Sequence, residues 1–395
     1  MRASPGTTPR FEALDGWRGI CACVVILFHF HGHSPLHEAG LVRNGYLFVD
    51  FFFVLSGFVI AWNYEHKLGS WSGAGRFLVL RLGRIYPLHL FMLLCFVAYE
   101  TLKLLAGREE AFTGPTSLSA FATNVFLLQS MGVHDQLTWN GPSWSISTEW
   151  WSYVLFALVW VWLGLRHWML LAVAIAAPLL LAAVSKSGMD TTYDWGFVRC
   201  VFGFALGVIC CRIFRLVAPV ARSPGKATMT VVELLTVFAV VGFVSHAGTS
   251  PASFMAPFVF TVAVLVFAAE GGHVSRVFHS RPLKWLGTVS YSIYLTHFFV
   301  VLILPAVVKR LLQADPWAPM PLPNGQWVMA FGRNEVEGTL GYVAVVLVTL
   351  AFSAITYRWV EVPGREWTRR WLSRPQALPE AMPSIPDLHT PASRR

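Results

Sequence analysis

Charged residues are scarce in this sequence. Asp, Glu, Lys and Arg make up 13% of its 395 residues, whereas a soluble globular domain carries about 25%. Such a chain cannot cover a large core with a polar shell, which excludes a soluble enzyme, a disordered chain and a fibrous repeat. Hydrophobic residues reach 55%, with 17 Trp and 30 Phe. This composition indicates a polytopic membrane protein in a lipid bilayer.

Several other signals are missing. The six cysteines all lie in apolar segments and have neither disulfide nor zinc spacing. The start of the chain lacks the small-residue cleavage site of a signal peptide. No internal repeat and no second soluble domain is visible. The histidines at 29, 31, 33 and 37 fit no standard zinc motif, so the sequence predicts no metal site.

Long apolar runs are abundant. Crossing a bilayer takes about 20 apolar residues, and the sequence predicts ten spans in an all-α protein. The first is polar because it carries Arg18, His29 and His31. The ten predicted spans are 16–33, 46–64, 86–105, 143–164, 167–184, 195–214, 229–247, 252–269, 283–305 and 338–358.

The basic residues predict the orientation. The net charge of +9 sits in short loops between apolar segments, which favours membrane orientation over nucleic-acid binding. With a cytoplasmic N-terminus, 22 of the 30 Lys and Arg residues fall on the cytoplasmic side. Both termini are therefore expected inside. The predicted organisation is a cytoplasmic tail (1–10), a transmembrane domain (11–372) and a disordered cytoplasmic tail (373–395).

Ionisable residues inside spans are costly and usually functional. Arg18 and His29 are eleven residues apart, which places them on one helix face separated by a rise of about 16 Å. Arg81 and Arg84 share a face at the expected cytoplasmic entrance of the third span. Together with Arg18 they could present guanidinium groups to phosphates. A snorkelling arginine, a buried core histidine and ordinary cytoplasmic arginines remain the alternative interpretation.

The second and fourth spans carry further candidates. Asp50 lies among phenylalanines and needs a partner, whereas Ser56 precedes a glycine and also fits simple helix packing. Ser145 and Glu149 share a helix face. A carboxylate at Glu149 could support a histidine, or form a structural ion pair with Arg199.

Depth divides the candidates into two groups. Tyr294 and His297 share a face of the ninth span. The group expected near the cytoplasm is Arg18, Arg81 and Arg84. The group expected toward the opposite side is His29, Asp50, Glu149, Arg199 and His297. This layout suits a phosphate-bearing donor that enters from the cytoplasm, with chemistry deeper in the membrane.

Five motifs in this order resemble membrane acyltransferase family 3. They are the arginine, ten residues, histidine pattern of Arg18 and His29; the run Phe-Phe-Val-Leu-Ser-Gly-Phe at 52–58; the pair Arg81 and Arg84; Pro-Ser-Trp-Ser at 142–145 with Glu149; and Tyr-Ser-Ile-Tyr-Leu-Thr-His at 291–297. Arg199 with the glycine-containing run at 202–207 is also similar. The resemblance covers roughly residues 11–365.

The resemblance implies a bacterial inner-membrane enzyme that moves an acyl group, commonly acetyl, from cytoplasmic acyl-CoA to a hydroxyl of a carbohydrate or related acceptor. It implies no cofactor besides acyl-CoA as co-substrate. His29 would be the general base or a transient acyl carrier. Glu149 would orient this histidine or stabilise its positive charge. Arg18, Arg81 and Arg84 would bind acyl-CoA. The other site candidates are Asp50, Ser56, Ser145, Arg199, Tyr294 and His297.

The acceptor stays open at this point. A cell-surface polysaccharide or its lipid-linked precursor is the first expectation, and a small molecule such as a macrolide or lipo-oligosaccharide is the alternative. The resemblance also includes relatives with a fused periplasmic hydrolase-like domain; without one, the acyl group would pass to a separate periplasmic partner or be transferred directly within the helical domain. A transporter or flippase, or an inactive sensor or scaffold, are the competing classes.

Overall fold

The computed structural model describes residues 11–221, 225–321 and 327–373. The expected tails at 1–10 and 374–395 lie outside these residues. Two strands are present, β1 (Trp317–Pro321) and β2 (Trp327–Phe331). The helices are α1 (Glu12–His29), α2 (Pro35–Glu38), α3 (Gly40–Arg43), α4 (Phe48–Tyr64), α5 (Trp71–Leu105), α6 (Leu118–Val125), α7 (Trp144–Leu163), α8 (His167–Val184), α9 (Gly196–Ala221), α10 (Lys226–Ala247), α11 (Ala256–Ala268), α12 (His273–Phe278), α13 (Arg281–Leu312), α14 (Glu335–Thr356) and α15 (Val362–Ser373).

Within the described ranges, nine helical segments are long and apolar enough to cross a membrane. The chain is therefore a multi-pass, mainly α-helical membrane protein. The nine segments are Gly45–Tyr64, Trp71–Leu105, Gly141–Leu163, His167–Val184, Gly196–Ala218, Lys226–Ala247, Pro251–Ala268, Arg281–Leu312 and Glu335–Ser373. The first predicted span corresponds to α1, which is not among them. It carries three charged residues, Glu12, Asp15 and Arg18, within its 18 residues.

Several helices extend beyond their predicted spans. The third was expected from residue 86, but α5 begins at Trp71, where Ser70 caps the first turn by accepting a hydrogen bond from the Gly73 amide. The polar turns before the apolar run are helical too, so Arg81 and Arg84 lie inside a continuous helix. Hydropathy alone cannot detect such an extension, because it measures apolar content and not helicity.

Glycines allow the central helices to approach closely. A Cβ atom at Gly207 of α9 would lie 2.0 Å from the Val54 carbonyl oxygen of α4. A Cβ atom at Gly287 of α13 would lie 2.2 Å from the Asp15 carbonyl oxygen of α1. Small residues at helix crossings are typical of membrane bundles. These contacts hold α9 against α4 and α13 against α1.

The proline- and tryptophan-rich segment after α13 differs from the all-α expectation. It forms an antiparallel β1–β2 ribbon. The free edge of β2 pairs with the segment that follows α1, because the Phe331 amide donates to the His31 carbonyl and the His33 amide donates to the Phe331 carbonyl. The ribbon is thereby fastened next to the end of α1 that carries His29.

Candidate active site

A cavity opens among α1, α4, α5, α7 and α13. Its polar lining residues are Arg18, Ser56, Arg81, Arg84, Ser145, Glu149, Tyr153, Ser290, Tyr291 and Tyr294. The cavity therefore brings together seven of the eleven residues that the sequence singles out, and four lie outside its lining: His29, Asp50, Arg199 and His297.

Three arginines converge on this cavity. The Arg18 guanidinium donates to Asp15 at 3.3 Å and to the Ser290 hydroxyl at 3.1 Å. Arg81 donates to the Tyr64 hydroxyl at 3.0 Å and lies 5.0 Å from the centre of that ring. Arg84 makes neither a hydrogen bond nor an ion pair within the described part of the chain. Its guanidinium is therefore available to an anion that enters the cavity.

Glu149 lies in the same cavity as the arginines. Its carboxylate accepts hydrogen bonds from the Ser56 hydroxyl at 2.7 Å and from the Tyr153 hydroxyl at 2.5 Å. It also interacts electrostatically with Arg81. The structure therefore places Glu149 close to Arg81, from which the sequence separated it by expected depth. Among the described residues no hydrogen bond joins Glu149 to His29. In this geometry the carboxylate therefore does not orient that histidine directly.

Tyr294 and Ser145 form one wall of the cavity. The Ser145 hydroxyl donates to the Tyr294 hydroxyl at 2.8 Å, and the Tyr294 hydroxyl donates to the Pro142 carbonyl at 3.1 Å. The Tyr294 ring also packs against the His297 imidazole, with ring centres 5.8 Å apart. This tyrosine therefore lies between the cavity and the histidines.

His29 and His297 are in direct contact. Nε2 of His297 lies 3.2 Å from Nδ1 of His29, which lies 2.9 Å from the Val25 carbonyl oxygen. A carbonyl oxygen only accepts hydrogen bonds, so Nδ1 of a neutral His29 carries the proton. The lone pair is then on Nε2, which is the arrangement that a general base requires.

The neighbouring histidines do not extend this pair into a metal site. No group of three or more His, Cys, Asp or Glu side chains suited to a metal occurs in the described residues. The rings of His31 and His37 lie 5.2 Å apart. Burial lowers the pKa of the His37 imidazole.

Asp50 and Arg199 pair with each other. The Arg199 side chain is fully buried, and its Nε and Nη2 atoms donate to the two Asp50 oxygens at 2.9 and 2.8 Å. Its remaining donors reach the carbonyl oxygens of Thr191 and Tyr46, each at 3.1 Å. Arg199 therefore does not form the ion pair with Glu149 that the sequence left open. The Asp50–Arg199 pair connects α4 to α9 instead.

Sequence reasoning missed four polar residues of this region. Tyr153 follows Glu149 by one helical turn, and that spacing was a usable signal. Ser290 precedes and Tyr291 begins the motif at 291–297, in which only Tyr294 and His297 were singled out. Glu361 gave no clear signal, because it follows the tenth predicted span at a turn of unusual geometry.

Comparison with known proteins identifies the family. The sequence model of a family described as an acyltransferase domain matches residues 11–358. The peptidoglycan O-acetyltransferase OatA of Listeria monocytogenes is 25% identical over 77% of this chain and 51% of its own length. The acyltransferase MdmB of Streptomyces mycarofaciens is 28% identical over 75% of this chain and 80% of its own.

A third relative, the O-acetyltransferase OatA of Staphylococcus aureus, is 24% identical over 91% of this chain and 58% of its own length. The chain thus spans about half the length of the two OatA proteins. No solved structure matches it. The family match covers nearly the whole described bundle, including the arginines, Glu149 and both histidines. The chain therefore belongs to membrane acyltransferase family 3 and is an acyltransferase.

Proposed function

We propose that this membrane O-acyltransferase moves an acetyl group from cytoplasmic acyl-CoA to a hydroxyl of a cell-surface polysaccharide or its lipid-linked precursor. One observation carries the proposal. Three arginine side chains face one cavity, and a tyrosine in the wall of that cavity contacts a histidine pair. A polyanionic donor such as acyl-CoA matches the arginines, and the histidines supply a base.

The donor end of the site is assigned to Arg18, Arg81 and Arg84. Arginine forks bind phosphate oxygens through paired, charge-assisted hydrogen bonds. Glu149, held by Ser56 and Tyr153, can accept hydrogen bonds from the amide groups of the donor's pantetheine arm. The acyl thioester then lies toward Tyr294.

The histidine end of the site is assigned to the acceptor. In this proposal Nε2 of His29 takes the proton of the acceptor hydroxyl as the oxygen bonds to the thioester carbonyl carbon. The C–S bond breaks, and the proton returns to the leaving thiolate, which departs as CoA thiol. His297 is a positioning residue, because its contact with Nδ1 keeps the lone pair of His29 on Nε2. General-base catalysis is typically worth about 10²–10⁴-fold.

The positive-inside bias supports the orientation. In this proposal both termini are cytoplasmic, α1 is a tenth span shielded by its neighbours, and the protein lies in a bacterial inner membrane. The arginine cavity then faces the cytoplasmic supply of acyl-CoA. The carbohydrate acceptor is supported by the name of the Listeria relative, which is a peptidoglycan O-acetyltransferase.

The test is release of CoA thiol from acetyl-CoA by purified protein in liposomes, with and without a crude cell-envelope carbohydrate fraction. Wild type is expected to release thiol faster when the fraction is present. His29→Ala is expected to lose this activity by about 10²-fold or more. Arg76→Ala is the matched control, since Arg76 is an exposed arginine of α5 outside the cavity.

Two results would contradict the proposal. Folded wild-type protein that releases no thiol with any acyl-CoA would refute acyl-CoA as the donor. Release that grows with a macrolide or a lipo-oligosaccharide, and not with the carbohydrate fraction, would replace the polysaccharide with a small-molecule acceptor.

A further inference from the structure

A buried carboxylate lies close to the arginine cluster on the side of α14 and α15. Glu361 is the last residue of a π-helical turn, Tyr357–Glu361, that joins these two helices. It is 2% exposed, and its Oε2 accepts a hydrogen bond from the Ser292 hydroxyl at 2.8 Å. Ser292 is two residues beyond Ser290, the partner of Arg18. π-Helical turns are rare and frequently occur at functional sites.

The charge of Glu361 acts on the donor arginines. Its electrostatic partners are Arg84, Arg365 and Arg18. Arg84 in turn is repelled by Arg18 and Arg81 and attracted by Glu361. None of these arginines lies within ion-pair distance of Glu361 in the described part of the chain. The carboxylate thus offsets the repulsion among the arginines without occupying the Arg84 donors that face the cavity.

Close helix packing fixes the distance between these charges. A Cβ atom at Gly83, next to Arg84 on α5, would lie 2.1 Å from the Thr368 hydroxyl of α15. A Cβ atom at Gly364 of α15 would lie 2.5 Å from the Pro87 ring of α5. Both glycines let α5 and α15 touch, so the carboxylate and the guanidinium groups have little freedom to move apart.

We propose that Glu361 is the internal counter-ion of the donor site. This inference rests on the proposed acyl-CoA donor. The Glu361 carboxylate stabilises the arginine cluster when the cavity is empty. When the donor is bound, its negative charge opposes that of the phosphates and limits the affinity, so that spent CoA is released. It acts through the arginines and is a positioning residue.

The proposal predicts opposite effects on stability and on affinity. Glu361→Gln keeps the size of the side chain and removes its charge. We expect the unliganded variant to melt at a lower temperature than wild type. We also expect it to bind CoA about tenfold more tightly, which is the effect of removing one charge at about 10 Å with an effective dielectric constant of about 20. Product release, and with it kcat, is expected to fall. A purely structural role would weaken stability and affinity together.

The experiment measures melting temperature and the Kd for CoA of purified protein in detergent. Glu361→Asp keeps the charge and is expected to resemble wild type in affinity. Glu366→Gln is the matched control, since Glu366 is an exposed acid on the same helix. If wild type binds CoA, weaker or unchanged CoA binding by Glu361→Gln would overturn the proposal.

A ligand-free comparison separates this proposal from the proposed function. Adding Arg84→Met to Glu361→Gln removes the cation that the carboxylate offsets, and is expected to restore the melting temperature toward wild type. A double variant less stable than Glu361→Gln alone would refute the counter-ion even if wild type binds no CoA. Failure of wild type to bind CoA would instead count against the donor assignment.

Discussion

The buried Asp50–Arg199 pair gives the sharpest stability prediction. Asp50→Asn removes the negative charge and leaves a side chain that cannot accept both guanidinium hydrogen bonds. Asp50 and Arg199 are each 0% exposed, so water cannot replace the lost partner. We expect this single substitution to destabilise the bundle strongly.

The structure sets the size of the effect. Two charge-assisted hydrogen bonds of 2.9 and 2.8 Å are lost or weakened. The bonds from Arg199 to the Thr191 and Tyr46 carbonyls remain, and the guanidinium still lies 5.3 Å from the Trp144 ring. Removing one partner of a buried ion pair typically costs about 3–5 kcal/mol. We expect Asp50→Asn to lose stability in this range.

The assay is unfolding in mixed micelles of increasing SDS content, monitored by tryptophan fluorescence. The double variant Asp50→Leu/Arg199→Met removes both charges and is expected to be more stable than Asp50→Asn, since no unpaired charge stays buried. The exposed Arg333–Glu337 pair is the control, and Glu337→Gln is expected to destabilise far less than Asp50→Asn, because water screens an exposed ion pair. A cost below about 1 kcal/mol for Asp50→Asn would refute the reasoning.

Three further predictions concern packing, the cavity and a helix end. Gly207→Leu is expected to abolish a monodisperse elution peak in detergent, because a Cβ atom there already meets a carbonyl at 2.0 Å, whereas Gly242→Leu, in open space, is expected to elute normally. Tyr153→Phe removes the 2.5 Å hydrogen bond to Glu149 and is expected to slow CoA-thiol release roughly tenfold. An unchanged rate would contradict a role of Tyr153 in the site. The Glu233 carboxylate accepts hydrogen bonds from two backbone amides at the start of α12, at 2.8 and 3.1 Å. Glu233→Ala removes this buried acceptor and is expected to lower stability by about 2–3 kcal/mol in the SDS assay. An unaltered unfolding transition would contradict that role.

The sequence predicts much of the donor site because each arginine is unusual where it stands. Arg18, Arg81 and Arg84 lie in or beside apolar segments, where a charge is costly without a purpose. The structure brings all three to one cavity. Helical spacing also places Ser145 and Glu149 on one face, and both line that cavity.

Helix adjacency is what the sequence could not supply. A buried aspartate requires a partner, but spacing along the chain does not reveal that α4 packs against α9. An ion pair of Arg199 with Glu149 was therefore left open from the sequence, whereas Arg199 is bound to Asp50. Glu361 was missed for a related reason, because a π-helical turn changes the direction in which the side chain points and leaves no simple mark in the sequence.

The β1–β2 ribbon was also beyond prediction. Pro319 and Pro321 lack the amide hydrogen that a strand normally donates, so the sequence gives no strand signal there. A two-stranded ribbon has free edges and tolerates such residues. Its second edge pairs with backbone next to His29, a contact between residues about 300 positions apart.

The central claim is that acyl-CoA occupies the cavity among the three arginines. The most direct measurement is equilibrium binding of radiolabelled acetyl-CoA to purified wild type, Arg84→Ala and Arg76→Ala in detergent. A charge-assisted hydrogen bond is worth about 1.5–3 kcal/mol, which corresponds to roughly 10- to 100-fold in Kd. The account predicts such a loss for Arg84→Ala and none for Arg76→Ala. Equal affinity of all three proteins would contradict it.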